Sequence, residues 1–174
     1  MNKALKMNNV ALNNIIRFIA LLFLQVLIFN HVNIFGYINP MVYIVWVFLF
    51  PVRKSKSLLL ILSFLLGLSI DFFSDSGGIN AFAITFIAYF RLPILKTVLR
   101  KSDLDYAQFN LRTISFNKAF LFIAILTMMH HFIVFGLEYF SFDAITRVIS
   151  NTILTSIFTI LISALGIVLF TKKK

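Results

Sequence analysis

The sequence predicts an all-α, polytopic membrane protein with six transmembrane helices in one domain, residues 1–174, and with both termini in the cytoplasm. Hydrophobic residues make up 60% of the 174 positions, well above the roughly 45–50% of a soluble domain. They are grouped into runs, most of which are long enough to cross a hydrocarbon core of ~30 Å. Basic residues cluster between these runs, as in a chain that crosses the membrane repeatedly.

The predicted spans are residues 15–29, 37–52, 57–73, 79–92, 119–137 and 145–170. The first follows a short polar segment with basic residues, and Gln25 is the only polar interruption between Phe18 and Phe29. We expect a neighbouring helix to satisfy the Gln25 amide, since an unpaired polar group in hydrocarbon is unfavourable.

The second span lies around a short apolar run between Pro40 and Pro51. Its residues, 37–52, give only about 24 Å of helix, so the segment either crosses as a short span or re-enters on the side it left. Re-entry would place the basic residues 53–56 opposite the N-terminus, contrary to the positive-inside tendency. We therefore predict a short span.

A polar turn at residues 74–78 joins the third and fourth spans into a membrane hairpin. Ser63, Gly67 and Asp71 follow one another at intervals of four residues and therefore share one helix face. This face places two small residues and a carboxylate against a neighbouring helix. The carboxylate is expected to point inward or towards the headgroups, and an interfacial acid that ends the helix is the alternative.

The fourth span ends near Arg91 or, alternatively, continues past Arg91 and Pro93. The stretch from Arg91 to Lys118, which leads to the fifth span, is strongly basic and contains only two acids. Apolar residues alternate with the bases as far as Leu99, a pattern that suits a helix lying at the membrane surface. A solvated inner loop is the other interpretation.

Two adjacent histidines, His130 and His131, lie in the second half of the fifth span. Adjacent residues point to different faces of a helix, so the pair cannot chelate one metal as residues at i and i+4 would. With no cysteine and only His31 elsewhere, we predict no metal site. At least one of the two is expected to be a buried hydrogen-bonding residue.

Small residues recur at intervals of four and three along the sixth span, at Thr152, Ser156, Thr159, Ser163 and Gly166. Such a stripe lets another helix approach closely. It is expected to pack in the core of the bundle or, alternatively, to dock a partner subunit.

Six spans place all but one of the 16 basic residues on the side of the termini. The positive-inside rule then assigns that side to the cytoplasm. The exception is Arg147, which we expect to pair with one of the four acids on the outer side. These acids are Asp71, Asp75, Glu138 and Asp143.

Several function classes are disfavoured by the composition and motifs. There is no cysteine for a disulfide, a thiolate metal site or a nucleophile. No glycine-rich phosphate loop, HExxH or G-x-S-x-G motif occurs, so we predict neither enzymatic activity nor a cofactor. The net charge of +10 lies in clusters between apolar runs, which argues for a membrane topology signal and against nucleic-acid binding.

Four stretches, in this order, carry a family resemblance: an Asn39-Pro40 entry into a short aromatic helix followed by Pro51, the hairpin core of residues 67–89, the run from His131 to Glu138, and Asn151 near the start of the last helix. Together they resemble MreD, the membrane subunit of the bacterial rod-shape machinery. Where members of that family can carry an acid in the fifth span, this chain has His131.

The resemblance implies a non-enzymatic, multi-pass protein of the bacterial cytoplasmic membrane that binds MreC. It would help to link MreB filaments to the RodA glycosyltransferase and its partner transpeptidase, with basic inner loops near anionic lipid. The residues expected to have structural or partner-binding roles are Ser63, Gly67, Asp71, Gly77, Gly78, Tyr89, Glu138, Arg147, Asn151, Ser156 and Ser163.

MreD is also similar in fold to the substrate-binding S components of energy-coupling-factor vitamin importers, which have six helices around an outer-facing cavity. An importer subunit that binds one small molecule is therefore the alternative function. Those proteins dock their transmembrane partner through an Ala-x-x-x-Ala pattern on the first helix. Here the stretch from Arg17 to Phe29 contains only Ala20, which disfavours the alternative.

Overall fold

The computed structural model describes the backbone of residues 2–36, 38–51, 55–100, 111 and 114–170, and the side chains of these residues from 12 to 167. The protein is an all-α polytopic membrane protein. In the described part, the α-helices are α1 (Asn2–Leu27), α2 (Val45–Leu49), α3 (Lys56–Ser74), α4 (Ile79–Leu99), α5 (Phe116–Tyr139) and α6 (Ile145–Phe170). Five of them, all except α2, are long and apolar enough to cross a membrane.

The fourth helix extends beyond the span 79–92 and follows the alternative in which it continues past Pro93. It passes through Pro93 and ends at Leu99, after which Arg100 takes a left-handed conformation with φ of 54°. Proline removes one backbone hydrogen bond and crowds the preceding turn. If the chain left the helix at Pro93, several backbone groups would lose their hydrogen bonds in an apolar environment. The helix therefore continues.

The second element is less helical than predicted. Among the described residues of this stretch, 38–51, residues 42–49 form a helix, first a 3₁₀ turn and then α2, which together rise about 12 Å. The short helix is tolerated because protein surrounds it on every side: residues 42–48 are at most 2% exposed. Side chains of other helices hydrogen-bond the irregular backbone that flanks it, which hydrocarbon could not do.

Contacts along the second element show that it runs through the bundle instead of turning back. The Val42 amide donates to Gln25 Oε1 at 2.8 Å, and the indole of Trp46 donates to the carbonyl of Asn14 at 3.3 Å. Gln25 and Asn14 are separated by about 16 Å along α1. The second element therefore follows α1 from one end towards the other, as expected of a short span.

The helices pack in chain order around this buried element. Helix α3 packs on α4, α4 on α5, and α5 on α6, while α1 contacts α3 and the second element. The outer face of α6 is a stripe of exposed apolar side chains spaced by four residues: Ile145, Ile149, Ile153, Ile157, Leu161 and Leu165. Such a face suits contact with lipid or with another apolar helix.

The position of Arg91 differs from the expectation, which counted it among the bases exposed on the side of the termini. It lies inside the bundle at 4% exposure, and its Nη2 donates to the carbonyls of Phe48 at 3.2 Å and Phe50 at 2.5 Å. These carbonyls are left without helical partners where α2 ends. Arg91 therefore terminates the second element. Residues 101–110, 112 and 113 of the basic segment lie outside the described residues.

Candidate functional site

The Asp71 carboxylate caps helix α4 from the preceding helix. Asp71 is 4% exposed; its Oδ1 accepts from the amide of Asn80 at 2.9 Å and its Oδ2 from the amide of Ala81 at 2.8 Å. The first amides of a helix have no partner within it, and the residue at the N-cap position, Gly78, has no side chain to supply one. An acid at this positive end of the helix is also electrostatically favourable.

Two side chains complete the hydrogen bonding of this carboxylate. Ser76 Oγ donates to Asp71 Oδ1 at 2.5 Å, and Asn80 Nδ2 donates to the same oxygen at 3.0 Å. Asn80 Nδ2 also lies 2.9 Å from Ser76 Oγ. The carboxylate thus points inward and ties the turn to both helices, which resolves the alternatives that the sequence left open.

Backbone conformation explains why glycines occupy the turn. Gly77 and Gly78 have φ values of 64° and 96°, in a region that side chains with a Cβ rarely adopt. Asp75, the residue that ends α3, is also left-handed, with φ of 52°, a conformation that Asp tolerates better than most residues. The turn returns the chain directly onto α3.

Gly67 lies where α3 and α4 approach most closely. A Cβ at this position would collide with Cα of Ala81 and would lie 2.7 Å from both the amide nitrogen of Ala81 and the carbonyl oxygen of Asn80. Ser63, one turn earlier on the same face, is fully buried. The small-residue face predicted for α3 therefore packs against α4. We call the set formed by Gly67, Asp71, Ser76, Asn80 and Ala81 the hairpin lock.

The hairpin lock extends to helix α5 through Tyr43. The Tyr43 hydroxyl donates to Asn80 Oδ1 at 2.7 Å and lies 2.8 Å from His130 Nε2. Because the hydroxyl has one proton, which it gives to Asn80, His130 donates from Nε2. Asn80 therefore connects the turn to a buried tyrosine and a buried histidine.

Both histidines of α5 are fully buried and hydrogen-bonded, in different directions. His131 Nδ1 lies 2.8 Å from the carbonyl of Thr127, and its Nε2 lies 3.1 Å from Thr159 Oγ1 on α6. The prediction of a buried hydrogen-bonding histidine is confirmed for each of them. Within the described residues, no three His, Asp or Glu side chains are grouped so that they could hold a metal ion.

A polar cavity of about 590 Å³ opens at the end of the bundle that carries the turn. The turn itself forms part of its wall, and so do the ends of α1, α5 and α6. Its polar lining residues are Gln25, Asn30, His31, Asn39, Tyr43, Ser74, Asp75, Ser76, Asn80, Glu138, Tyr139 and Asn151.

The wall of this cavity is fixed by hydrogen bonds within the protein. Gln25, which is 2% exposed, donates to Asn30 Oδ1 at 2.9 Å and to the carbonyl of Pro40 at 3.2 Å, in addition to accepting from Val42. Asn30 Nδ2 donates in turn to Ser74 Oγ at 2.8 Å. The Gln25 amide is satisfied, but only Val42 of the neighbouring second element takes part as predicted, and Asn30 and Pro40 in the connecting loop supply the other partners.

Two further residues of the family resemblance line the cavity. Glu138 lies near the end of α5 and is exposed. Asn151 Nδ2 donates to the hydroxyl of Tyr139 at 2.8 Å, which links α6 to the end of α5. Tyr89 lies elsewhere: its ring is 49% exposed and has Lys56 Nζ 3.7 Å from its centroid, a cation–π contact.

The remaining predicted residues are not brought to the cavity. Ser156 and Ser163 are at most 2% exposed and lie inside the bundle, where a partner subunit does not reach them. Arg147 is exposed, and within the described residues it forms no ion pair with the four acids considered for it. The Asp71 carboxylate is instead hydrogen-bonded by Ser76, Asn80 and Ala81.

Sequence reasoning missed Asn80 and Tyr43. A usable signal existed for Asn80, because a lone amide directly after a glycine turn stands at the start of an apolar helix. Tyr43 gave no such signal, since it lies within an apolar, aromatic run that is equally typical of ordinary core packing.

No protein-family model matches the chain, and no match is found among curated proteins or among solved structures.

Proposed function

We propose that the protein is a non-enzymatic scaffold of the bacterial rod complex in the cytoplasmic membrane, as its resemblance to MreD implies. The observation that carries the proposal is the hairpin lock. Asp71 lies in the hairpin core, one of the four stretches that together carry the resemblance, and its carboxylate accepts four hydrogen bonds from Ser76, Asn80 and Ala81. A carboxylate used in this way maintains shape and is a poor candidate for acid–base chemistry.

Helix α1 supports the proposal because it is the least enclosed span. Only 17% of its most apolar window is buried, against 33–44% for the other four spans. The exposed apolar residues on it include Ile15, Ile19, Phe23 and Leu27. A single-span partner such as MreC would bury this face by van der Waals packing, the main source of helix association in lipid.

The hairpin lock and the exposed face of α1 have different roles in the proposed scaffold. The hairpin lock holds α3 and α4 in a fixed arrangement, and α1, which contacts α3, presents the partner face. Through MreC the scaffold would connect MreB filaments on the inner side to RodA and its partner transpeptidase.

Co-purification tests the proposal. The tagged full chain, expressed with MreC, is expected to recover MreC in stoichiometric amount. Recovery with an ATP-binding cassette pair and a tightly held vitamin, without MreC, would instead support the importer alternative and reject the scaffold.

Substitution on α1 sharpens the test. We expect Phe23→Ala to lower the recovery of MreC several-fold, because Phe23 is 51% exposed on the proposed partner face. The matched control is Ile157→Ala on α6, which removes a side chain of similar exposure, 49%, from a face directed elsewhere. Equal loss of MreC in both variants would reject α1 as the partner face.

A further inference from the structure

We propose that the cavity at the turn end of the bundle is a binding site for a small polar molecule that carries an ammonium group. Proteins bind such molecules in concave sites of roughly 300–1,000 Å³ with a few well-placed polar groups, and this cavity measures about 590 Å³. The proposal concerns a surface distinct from the α1 face and does not depend on the scaffold function.

Rigidity of the wall makes the cavity suitable for a ligand. The side chains of Gln25, Asn30 and Asn80 each make at least two hydrogen bonds within the protein, so they are held in place before any ligand arrives. A site whose polar groups are already ordered loses less conformational entropy on binding.

The charged groups with unused hydrogen-bonding capacity in the described lining of the cavity are two carboxylates, and both are acceptors; beside them, the hydroxyls of Ser74 and Tyr139 and the ring of His31 can also donate. Asp75 and Glu138 line the cavity, and their carboxylates make no hydrogen bond or ion pair with the described part of the chain. Asn151 uses its Nδ2 to reach Tyr139, which leaves its carbonyl oxygen as a further acceptor. An ammonium group, with three donors and no acceptor, complements this set.

The charge of the cavity lining also favours a cationic ligand over an anionic one. No lysine or arginine is among the described residues that line the cavity, whereas two carboxylates are. An anionic ligand would have to enter against these carboxylates, and no lysine or arginine of the described lining would offset them. A cation gains from both, and more strongly than at a flat surface because the cavity limits access of water.

The test is calorimetric titration of the purified full chain in lipid nanodiscs with three four-carbon probes of similar length at 150 mM salt. These are 1,4-diaminobutane, 1,4-butanediol and succinate. We expect the diamine to bind at least tenfold more tightly than the diol, and succinate not to bind. No binding of the diamine, or equal binding of all three probes, would overturn the proposal.

Variants separate the cavity from general attraction of cations to the protein. Glu138→Gln is expected to weaken diamine binding about tenfold, while Asp143→Asn, which removes an exposed acid that does not line the cavity, leaves it unchanged. Equal effects of the two variants would reject the site. Thermal unfolding and MreC recovery of Glu138→Gln are expected to match the unmodified protein, so a failure here stays separate from a failure of the scaffold function.

Discussion

Two buried polar regions of the bundle differ in how their hydrogen bonds are satisfied. In the hairpin lock, both carboxylate oxygens of Asp71 accept hydrogen bonds. The Asn80 side chain donates a hydrogen bond to Asp71 and accepts one from Tyr43. In the small-residue stripe of α6, the hydroxyls of Thr152, Ser156 and Ser163 have no partner within the described residues, although all three side chains are at most 5% exposed.

The polar residues of the two regions are therefore present for different reasons. The hydrogen-bonded groups of the lock fix one geometry, because a changed arrangement would strand buried donors. These three hydroxyls contribute mainly small size, which allows helices to approach, whereas Thr159 of the same stripe is hydrogen-bonded to Met41 and His131. Substitutions are therefore expected to be costly in the lock and tolerated at Thr152, Ser156 and Ser163, even where the residue type is the same.

The largest effect is expected for Gly67→Leu. The new side chain would meet backbone atoms of Ala81 and Asn80 at 2.7 Å, and backbone cannot rotate away as a side chain can. We expect α3 and α4 to separate and both folded protein and recovered MreC to be lost in a pull-down, to a greater degree than with Leu66→Ala.

The control for this substitution is Gly136→Leu on α5, where a Cβ would find no atom within 4 Å. It changes the same residue type within a spanning helix and is expected to assemble normally. If Gly67→Leu assembles as well as Gly136→Leu, the close approach of α3 and α4 is not required.

The next effect is expected for Asp71→Ala. The change leaves the amides of Asn80 and Ala81 and two side-chain donors without their acceptor, and each stranded buried donor costs about 1–3 kcal/mol. We expect a loss of at least about 3 kcal/mol in the free energy of unfolding, measured by steric trapping in bicelles. Asp143→Ala removes an exposed acid and should change it by less than about 0.5 kcal/mol; comparable losses would contradict the capping role.

The smallest effects come from a pair of serine substitutions that compares the two regions directly. Ser76→Ala removes the donor to Asp71 and is expected to cost about 1 kcal/mol. Ser163→Ala removes a fully buried hydroxyl that has no partner in the described part of the chain and is expected to be neutral or slightly stabilising. The same unfolding assay measures both variants. A larger loss in the free energy of unfolding for Ser163→Ala than for Ser76→Ala would contradict the proposed difference between the two regions.

Periodicity and hydropathy were sufficient to predict the five long spans. The sixth helix begins and ends at Ile145 and Phe170, as predicted, because its apolar run has a clear polar boundary at each side. The second element could not be predicted in the same way. Its irregular backbone depends on Gln25, Thr159 and Arg91, which come from three distant parts of the chain.

The face of α3 was also predictable, since a spacing of four residues is a local property of a helix. The partners of Asp71 were not, because the capping of one helix by an acid of another depends on the path of the turn. Charge alone likewise offered Arg147 four acidic partners. Asp71, however, is satisfied within its own hairpin, and within the described residues the other three acids form no ion pair with Arg147.

Amide hydrogen exchange at Asn80 and Ala81 tests the hairpin lock most directly. Amides in the first turn of a helix normally exchange rapidly because they lack partners within the helix. If the Asp71 carboxylate caps α4, both amides should exchange as slowly as those in the interior of that helix. Rapid exchange at both positions in the folded protein would contradict the account.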